Sequence, residues 1–340
     1  MPSVGGKFQF TTLERREVGE HDVQIDIKFA GICHTDIHQA KEGLGRDAFP
    51  MVPGHEIAGT VSAIGSGVTR FAIGDRVGVG CFVDSCNNCD ACREGEEQFC
   101  EKGPVSTYNG IDYEGNLTYG GYSEMIVVSD RFVVRVPDAL SLESAAPLLC
   151  AGITLYSPLR RLEVGPNSKV AIIGLGGLGH LGVQLAHAMG AEVTVLSQSA
   201  TKRDDAIALG AKNYLSTRDE QSFSTMKNAF DAIISTAPMN LAVDAYLALL
   251  RRHGTLLYVG APPRPETFSV NSLLWRGRAI AGSMVGGVAE TQEMLDFCAD
   301  HGIVAMTETV GAEDVDSAYD RVVANDVRFR FVIDIATLHA

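Results

Sequence analysis

Lys169-Val-Ala-Ile-Ile-Gly-Leu-Gly-Gly-Leu-Gly179 constrains the fold of this chain more than any other stretch. An apolar segment, Lys169–Gly174, runs without a break into the glycine turn Gly174-Leu-Gly176-Gly-Leu-Gly179. An apolar run of buried-helix composition follows (His180, Leu181, Val183, Leu185, Ala186, Ala188, Met189) and stops at Gly190. Strand, turn and helix make the opening unit of a parallel, dinucleotide-binding sheet. Gly174 permits the tight turn, Gly176 lets the backbone approach a pyrophosphate, and Gly179 lets helix and strand pack closely. Leu175, Gly177 and Leu178 complete the loop, and the helix N-terminus turns its unpaired N–H groups toward the phosphates. A chain with 36 glycines produces such a spacing by accident in loops. The flanking strand and helix are what make it a cofactor site.

With 340 residues the chain exceeds what one core usually supports, so two domains are expected. Its 28 Lys and Arg against 42 Asp and Glu leave a net charge of −14, with no dense basic block. That argues against nucleic acid or an anionic membrane as a partner. No apolar run reaches the length of a membrane span, and Met1-Pro-Ser-Val-Gly-Gly-Lys7 has no basic-then-apolar leader pattern. A cytoplasmic location is the default expectation. Eight cysteines in a reducing compartment are then expected as metal ligands or buried thiols rather than disulfides.

Taken in order, residues 22–29 alternate polar and apolar like a half-buried strand and lead into Ala30-Gly-Ile-Cys33-His34-Thr35-Asp36-Ile-His38. Singly, these side chains have bland explanations: a buried thiol, a helix cap, a surface imidazole. Together they look like a site. Pro53-Gly-His55-Glu56 follows, and glycine-punctuated β-like segments (Ile57–Ile64, Arg76–Val83) suggest a small barrel-like fold. Then comes Cys86-x2-Cys89-x2-Cys92-x7-Cys100. Thiolates hold Zn²⁺ tetrahedrally, and a closed set of four leaves no position for substrate, so this zinc is structural. Further β-like stretches are Met125–Val128 and Phe132–Val136, and Leu142–Ile153 reads as a helix containing Cys150. Beyond Gly165-Pro166, strand-like stretches (Glu192–Ser197, Lys212–Leu215, Phe230–Ser235, Thr255–Val259, Ala279–Met284) alternate with helix-like ones (Thr201–Leu209, Leu241–Arg251). That alternation is a doubly wound parallel sheet. The boundary falls near Ala151–Gly152. Glu290–His301, a helix, and Phe331–Ile335 are expected to return the chain to the first domain.

Gly31-Ile-Cys-His-Thr-Asp36, Gly54-His-Glu-x2-Gly-x5-Gly65, the four-cysteine lobe, Leu148-Leu-Cys-Ala-Gly152 and Gly174-x-Gly-x-x-Gly179 occur here in one order. In this the chain resembles the zinc-dependent alcohol dehydrogenases of the medium-chain dehydrogenase/reductase superfamily, most of all the cinnamyl-alcohol-dehydrogenase-type, NADP-dependent aldehyde reductases. The resemblance implies an α/β protein: a GroES-like, β-rich catalytic domain (1–151 and 284–340) and a doubly wound Rossmann cofactor domain (152–283). It implies two zinc ions per chain, the catalytic one held by Cys33, His55 and Cys150, whose two thiolates and one imidazole leave a fourth position open. Spacing alone could not have paired Cys150 with Cys33. The family places Glu56 just behind the metal, and His34 with the cofactor. Asp36 is expected to accept a hydrogen bond from the second nitrogen of His55; as structure alone it would be a helix cap. Thr35, the nicotinamide ribose and His38 form the implied proton relay to solvent. The family also suggests a homodimer or homotetramer, and an apolar pocket with Leu44, Phe49, Tyr108 and Met284 as candidates.

An NAD-preferring sheet of this kind ends its second strand with Asp or Glu about 20 residues past the glycines. Here Ser197 occupies that place, followed by Gln198, Ser199, Lys202 and Arg203. A carboxylate would repel the extra phosphate of NADP, whereas hydroxyls and cations hold it, so NADP(H) is the expected cofactor. The expected activity is hydride transfer between NADPH and a small-molecule aldehyde or alcohol. Two rivals are a zinc-free quinone or enone reductase and a zinc–thiol redox sensor that binds NADPH without catalysis. Cys81 and Cys298 read as buried thiols.

Overall fold

Alternation builds the first sheet. Along Asp22–Gly31 the apolar residues Val23, Ile25 and Ile27 are buried while Gln24 and Asp26 are half-buried, the signature of a strand covered on one face. The computed structural model describes residues 1–43, 48–199 and 201–339. Within it the chain divides into two compact units, Met1–Ile153 with Val285–Ala340, and Thr154–Met284. The first unit carries β1 (Asp22–Gly31), helix α1 (His34–Lys41), β2 (Ile57–Ile64), β3 (Arg76–Val79), β4 (Phe82–Asp84), β5 (Val105–Ser106), β6 (Met125–Ser129) and β7 (Val134–Arg135). The second carries β8 (Lys169–Ile173), helix α2 (Gly179–Ala188), β9 (Glu192–Ser197), β10 (Asn213–Ser216), β11 (Phe230–Ser235), β12 (Leu250–Tyr258) and β13 (Ala279–Gly282). The chain then returns to the first unit with helix α3 (Val288–His301), β14 (Thr307–Val310) and β15 (Arg330–Asp334).

The first unit's main sheet runs β14-β15-β1-β2-β3-β7, with β6 also paired to β1. Two register shifts between β1 and β2 kink the ladder, as bulges do in strongly curved sheets. β15 lies antiparallel to the end of β1, Gly31 opposite Val332, so the last strand of the chain is built in beside the loop that carries Cys33. Ile25, Ile57, Val77, Val79, Tyr319 and Phe331 form the centre of this unit's core, each buried to 0 % exposure.

The second unit's sheet runs β10-β9-β8-β11-β12-β13, every pair parallel. Counted within the unit this is the order 3-2-1-4-5-6 of dinucleotide-binding sheets, and the glycine turn follows β8, where the order reverses. β8 is covered on both faces, with Val170, Ala171 and Ile172 at 0 % exposure, as a central parallel strand requires. Burying each Val or Ile there contributes about 1.5–3 kcal/mol.

The run Leu142–Ile153 is not the single helix its composition predicts. Leu142–Ala145 is α-helical, Ala146–Leu149 tightens into a 3₁₀ turn, and α-helix resumes at Ala151. Pro147 is the cause, because it has no N–H to continue the ladder and its ring crowds the preceding turn. Cys150 therefore sits at a break, with φ −124° and ψ −64°, rather than on a helix face. In the second unit the helices expected at Thr201–Leu209 and Leu241–Arg251 shorten to Arg203–Ala208 and Val243–Leu249, and β12 begins directly at Leu250.

Candidate functional site

Three segments far apart in sequence converge in the first unit. Cys33 caps α1, His55 and Glu56 precede β2, and Cys150 occupies the break described above. One ligand atom from each of Cys33, His55, Glu56 and Cys150 lies within 4.8 Å of the others, and the Cys33 and Cys150 sulfurs are 4.0 Å apart. Asp36, with no exposed surface, organises the group. Its carboxylate accepts from the Cys33 N–H at 2.9 Å, the Gly54 N–H at 3.2 Å and His55 Nδ1 at 3.0 Å. The same side chain is thus both the helix cap and the partner of the imidazole. With Nδ1 engaged, Nε2 of His55 is left as the ligand atom.

Glu56 is fully buried, and Arg330, at the start of β15, donates to its Oε1. Its other oxygen, Oε2, has no hydrogen-bond partner among the described residues, although it is buried. A Cβ on Gly31 would lie 2.0 Å from that oxygen, so only glycine fits there. An orphaned carboxylate oxygen among two thiols and an imidazole is a donor set that suits a zinc ion. The electrostatics are those of a ligand cluster. The hydrogen bond from Cys150 holds the Cys33 thiol well below the usual range against the cost of burial, with His55 adding to the pull. Cys150 is pushed up by that hydrogen bond and by one to Cys81. Burial opposes protonation of His55, and the Asp36 carboxylate outweighs it, raising its basicity. Burial pushes the Glu56 carboxyl up to about 7 against the pull of Arg330.

Around this cluster, Thr35 Oγ1 lies 3.8 Å from the Cys33 sulfur. His34 and His38 are exposed on α1, their rings 6.3 Å apart, and His38 Nδ1 is 3.1 Å from Glu42 Oε2. Tyr108 is buried and stacks on the His55 ring at 6.0 Å, while Phe49 packs against the first unit's core. Leu44 lies outside the described residues, and Met284 belongs to the second unit.

The four lobe cysteines, Cys86, Cys89, Cys92 and Cys100, form a second cluster, again with ligand atoms within 4.8 Å of one another. Cys92 Sγ is 3.4 Å from Cys89 Sγ and 3.9 Å from Cys86 Sγ. The Cys86 N–H donates to Cys100 Sγ and the Cys89 N–H to Cys86 Sγ, each at 3.4 Å, as thiolates require. Asn87 takes up a φ of 53° to make the knuckle turn. Such closed four-sulfur sets hold structural zinc.

In the second unit, Gly174 adopts φ +89° and a Cβ on Gly179 would lie 2.1 Å from the Gly174 carbonyl oxygen, so both positions require glycine. A Cβ on Gly176 would meet nothing within 4 Å: the turn is open on the side a pyrophosphate would approach. Leu175 and Leu178 flank it, and α2 begins at Gly179 with no side-chain cap on its N–H groups. Thr236, which the sequence did not single out, donates to the Ile173 carbonyl at 2.8 Å and braces the turn. Ser197 ends β9 and accepts from the Ser199 N–H at 3.3 Å. Ser199 Oγ bonds Thr201 Oγ1 at 2.7 Å, and Gln198 is exposed with its amide 3.7 Å from the Met239 sulfur. Lys202 reaches back to the Leu175 carbonyl at 3.1 Å, which sets a cation beside the glycine turn. Arg203 instead points to the Tyr214 carbonyl at 3.4 Å.

Arg330 is the functional residue that the sequence reading missed. Its only signal is a cation opening the otherwise apolar strand Arg330-Phe-Val-Ile-Asp334, and no spacing rule links it to Glu56.

Residues 19–138 match the family model of the alcohol dehydrogenase GroES-like domain, and residues 177–300 that of the zinc-binding dehydrogenases. A probable formaldehyde dehydrogenase, AdhA, of Bacillus subtilis is 61 % identical over 332 residues, covering 98 % of this chain and 95 % of that protein. NADP-dependent alcohol dehydrogenase C of Mycobacterium bovis is 56 % identical over 328 residues, covering 96 % and 95 %. Among solved structures, the cinnamyl alcohol dehydrogenase SbCAD4 of Sorghum bicolor superposes with a TM-score of 0.92 at 45 % identity, over 95 % of this chain and 93 % of that one.

Proposed function

We propose a residue-by-residue mechanism from one premise: the chain belongs to the zinc-containing medium-chain alcohol dehydrogenases, in the cinnamyl-alcohol-dehydrogenase-like subgroup of NADP-dependent alcohol dehydrogenases and aldehyde reductases. It is an NADP-dependent zinc enzyme that interconverts an aldehyde and an alcohol, with a structural and a catalytic zinc site. Cys33, His55 and Cys150 would hold a zinc ion, which would supply Lewis acidity toward an aldehyde oxygen, and the glycine turn would hold NADPH, which would supply hydride chemistry. The chain's own residues do the rest. Asp36 fixes the tautomer and direction of His55. Glu56, anchored through Oε1 by Arg330, keeps Oε2 in reserve beside the ligands, where it assists ligand exchange. Thr35, next to the Cys33 sulfur, and the exposed His38 carry a proton between the product oxygen and solvent, with His34 contributing to cofactor binding. Ser197, Gln198, Ser199 and Lys202 select NADP by leaving no carboxylate at the end of β9 and placing a cation by the turn.

The observation that carries this reading is the meeting of Cys33, His55, Glu56 and Cys150 with one buried oxygen unspoken for. The test is an aldehyde panel assayed with NADPH and NADH, before and after chelation. Two zincs per chain are expected, one removable with loss of turnover and restored by Zn²⁺. A protein isolated without zinc, yet active on enones, would overturn the reading; zinc without turnover on any aldehyde would point to a sensor.

A second copy of the chain is the proposed partner, as a homodimer or homotetramer. β13 pairs only with β12 among the described residues, and Val270, Leu274 and Trp275, the last 84 % exposed, lie just before it. Sedimentation of a Trp275→Glu variant as monomer would support that face, and unchanged sedimentation would discard it. No described helix is long and apolar enough to cross a membrane. Six of the eight cysteines lie in the two ligand clusters, a use of thiols that fits the reducing, cytoplasmic setting proposed for the chain.

A further inference from the structure

His180 is the first residue of α2 to carry a side chain, and none of its surface is exposed. A buried imidazole needs a partner for its ring N–H. Here Nδ1 lies 3.2 Å from the Gly176 carbonyl oxygen, which also accepts the His180 backbone N–H at 3.1 Å. A carbonyl oxygen only accepts, so Nδ1 carries the proton. The peptide held in this way joins Gly176 to Gly177, two residues without a Cβ to restrict its rotation. In a trans peptide the carbonyl and the following N–H point opposite ways. With the Gly176 oxygen drawn into the first turn of α2, the Gly177 N–H is turned out of the helix end, among the groups a helix leaves unpaired. The peptide before it is held in the same manner, its Leu175 carbonyl taken by Lys202 Nζ at 3.1 Å. Further back, the Gly174 N–H donates to the Leu196 carbonyl at 2.9 Å and Thr236 holds the Ile173 carbonyl. The Gly176–Gly177 peptide is thus the freest part of the turn by composition, and a buried side chain fixes it.

We propose that His180 is a positioning residue for NADPH: its Nδ1–H clamps the Gly176 carbonyl and so aims the Gly177 N–H at the pyrophosphate before the cofactor arrives. Without that hydrogen bond the diglycine peptide samples more than one orientation in the free protein. Binding must then select one of them, and affinity falls by the fraction that is not competent. One neutral hydrogen bond sets the scale, about three- to tenfold in Kd. The loss belongs to the pyrophosphate. Adenosine 2′-phosphate carries the phosphate that distinguishes NADP but no pyrophosphate, so its binding does not call on this peptide.

The test measures Kd for NADPH by fluorescence, and for adenosine 2′-phosphate by calorimetry, on the zinc-loaded protein and on His180→Leu and His180→Asn. His180→Leu is expected to weaken NADPH about three- to tenfold and to leave adenosine 2′-phosphate within about twofold. In His180→Asn the amide nitrogen takes the place of Nδ1 and recovers most of the loss. Asn is the poorer helix former of the two, so that recovery cannot come from a more stable α2. Wild-type protein labelled with ¹⁵N-histidine gives a reading that needs no folded His180→Leu: the His180 ring, identified by its absence from the His180→Asn spectrum, is expected to carry its proton on Nδ1. A neutral ring protonated on Nε2 alone would overturn the proposal. So would an NADPH Kd within twofold of wild type in His180→Leu, an equal loss of both ligands, or no recovery in His180→Asn. The proposal rests on the glycine turn being the NADPH cradle. Wild-type protein that binds no NADPH refutes that reading, whereas NADPH binding indifferent to His180 refutes the proposal alone.

Discussion

Replacing Asp36 by Asn tests the centre of the site with the smallest change in shape. The carboxylate serves three donors: Oδ1 takes His55 Nδ1 and the Gly54 N–H, and Oδ2 the Cys33 N–H. An amide must put NH2 in one of those places. On the Oδ2 side it faces the Cys33 N–H, donor against donor, and a buried pair left unmade costs about 1–3 kcal/mol. On the Oδ1 side it faces His55 Nδ1 and drives the proton to Nε2, the nitrogen needed as ligand. In either arrangement the imidazole loses its charged partner, a loss that typically lowers metal affinity about 10–100-fold. At about 1.4 kcal/mol per tenfold, that is about 1.4–2.8 kcal/mol of binding. The Cys86, Cys89, Cys92 and Cys100 cluster contains no Asp36 contact, so its zinc keeps its affinity. Titration with chelators of graded strength, monitored by released zinc, separates the two sites. Expected is one unshifted step and one shifted by one to two decades. Equal weakening of both sites, or a catalytic-site shift under threefold, would refute the role given to Asp36.

Cys100→Ser should empty the structural site and loosen its lobe, whose only α-helical turn, Asp90–Arg93, buries no residue, so metal rather than packing holds it; limited proteolysis should then cut between residues 86 and 100 while the catalytic zinc stays. Ser197→Asp should move the NADP-to-NAD ratio of kcat/KM toward NAD by at least about tenfold, a carboxylate there favouring the unphosphorylated ribose; an unmoved ratio would sink that reading. Arg330→Met leaves the fully buried Glu56 without its counter-charge and should destabilise the first unit by about 3–5 kcal/mol. Adding Glu56→Gln should recover most of that loss in chemical denaturation, and no recovery would mean the pair is not coupled. Burial alone would raise the Asp22 carboxyl, but Arg16 and the Gly19 N–H, both bonded to it, hold it below its usual value. A depressed folded-state pKa contributes stability that is complete above the unfolded value, about 3.9, and lost as pH falls through the folded one. Wild type should therefore exceed Asp22→Asn by a constant margin at neutral pH, a margin that closes below about pH 4. His38→Ala should lower turnover and change its pH profile, and an identical profile would remove His38 from the relay.

Legibility in the sequence followed the range of the interaction. The cradle reads directly because each of its constraints acts within a few residues: Gly179 is glycine because Gly174, five positions back, presents its carbonyl oxygen where a Cβ would sit. The four-cysteine lobe reads equally well, since its ligands span only residues 86–100 and their backbone N–H groups satisfy one another's sulfurs. Cys150 is different. Its neighbours are apolar helix formers, and composition alone runs a helix through it. The break comes from one imino acid, Pro147, and its significance from Cys33, at a helix cap more than a hundred residues earlier. Only likeness to a family could supply that pairing.

Arg330 shows the limit most sharply. A buried guanidinium is costly unless its charge is met, so Arg330 needs Glu56 as much as Glu56 needs Arg330. The two are 274 residues apart and meet because β15 is laid against the end of β1, a pairing whose register places Val332 opposite Gly31. Gly31 in turn must lack a side chain, because a Cβ would displace the very oxygen of Glu56 that is left unpaired. A glycine in a strand, an arginine opening another and an acid next to a histidine each look unremarkable in the chain. They become one device only when the returning segment closes the first sheet. The catalytic site is therefore complete only with that last strand in place. A chain truncated before Arg330 should keep the nucleotide-binding sheet of the second unit and lose the catalytic zinc. Zinc counts and NADPH binding on one truncated sample would check both halves of that statement. Retention of two tightly bound zincs would show that β15 does not complete the site.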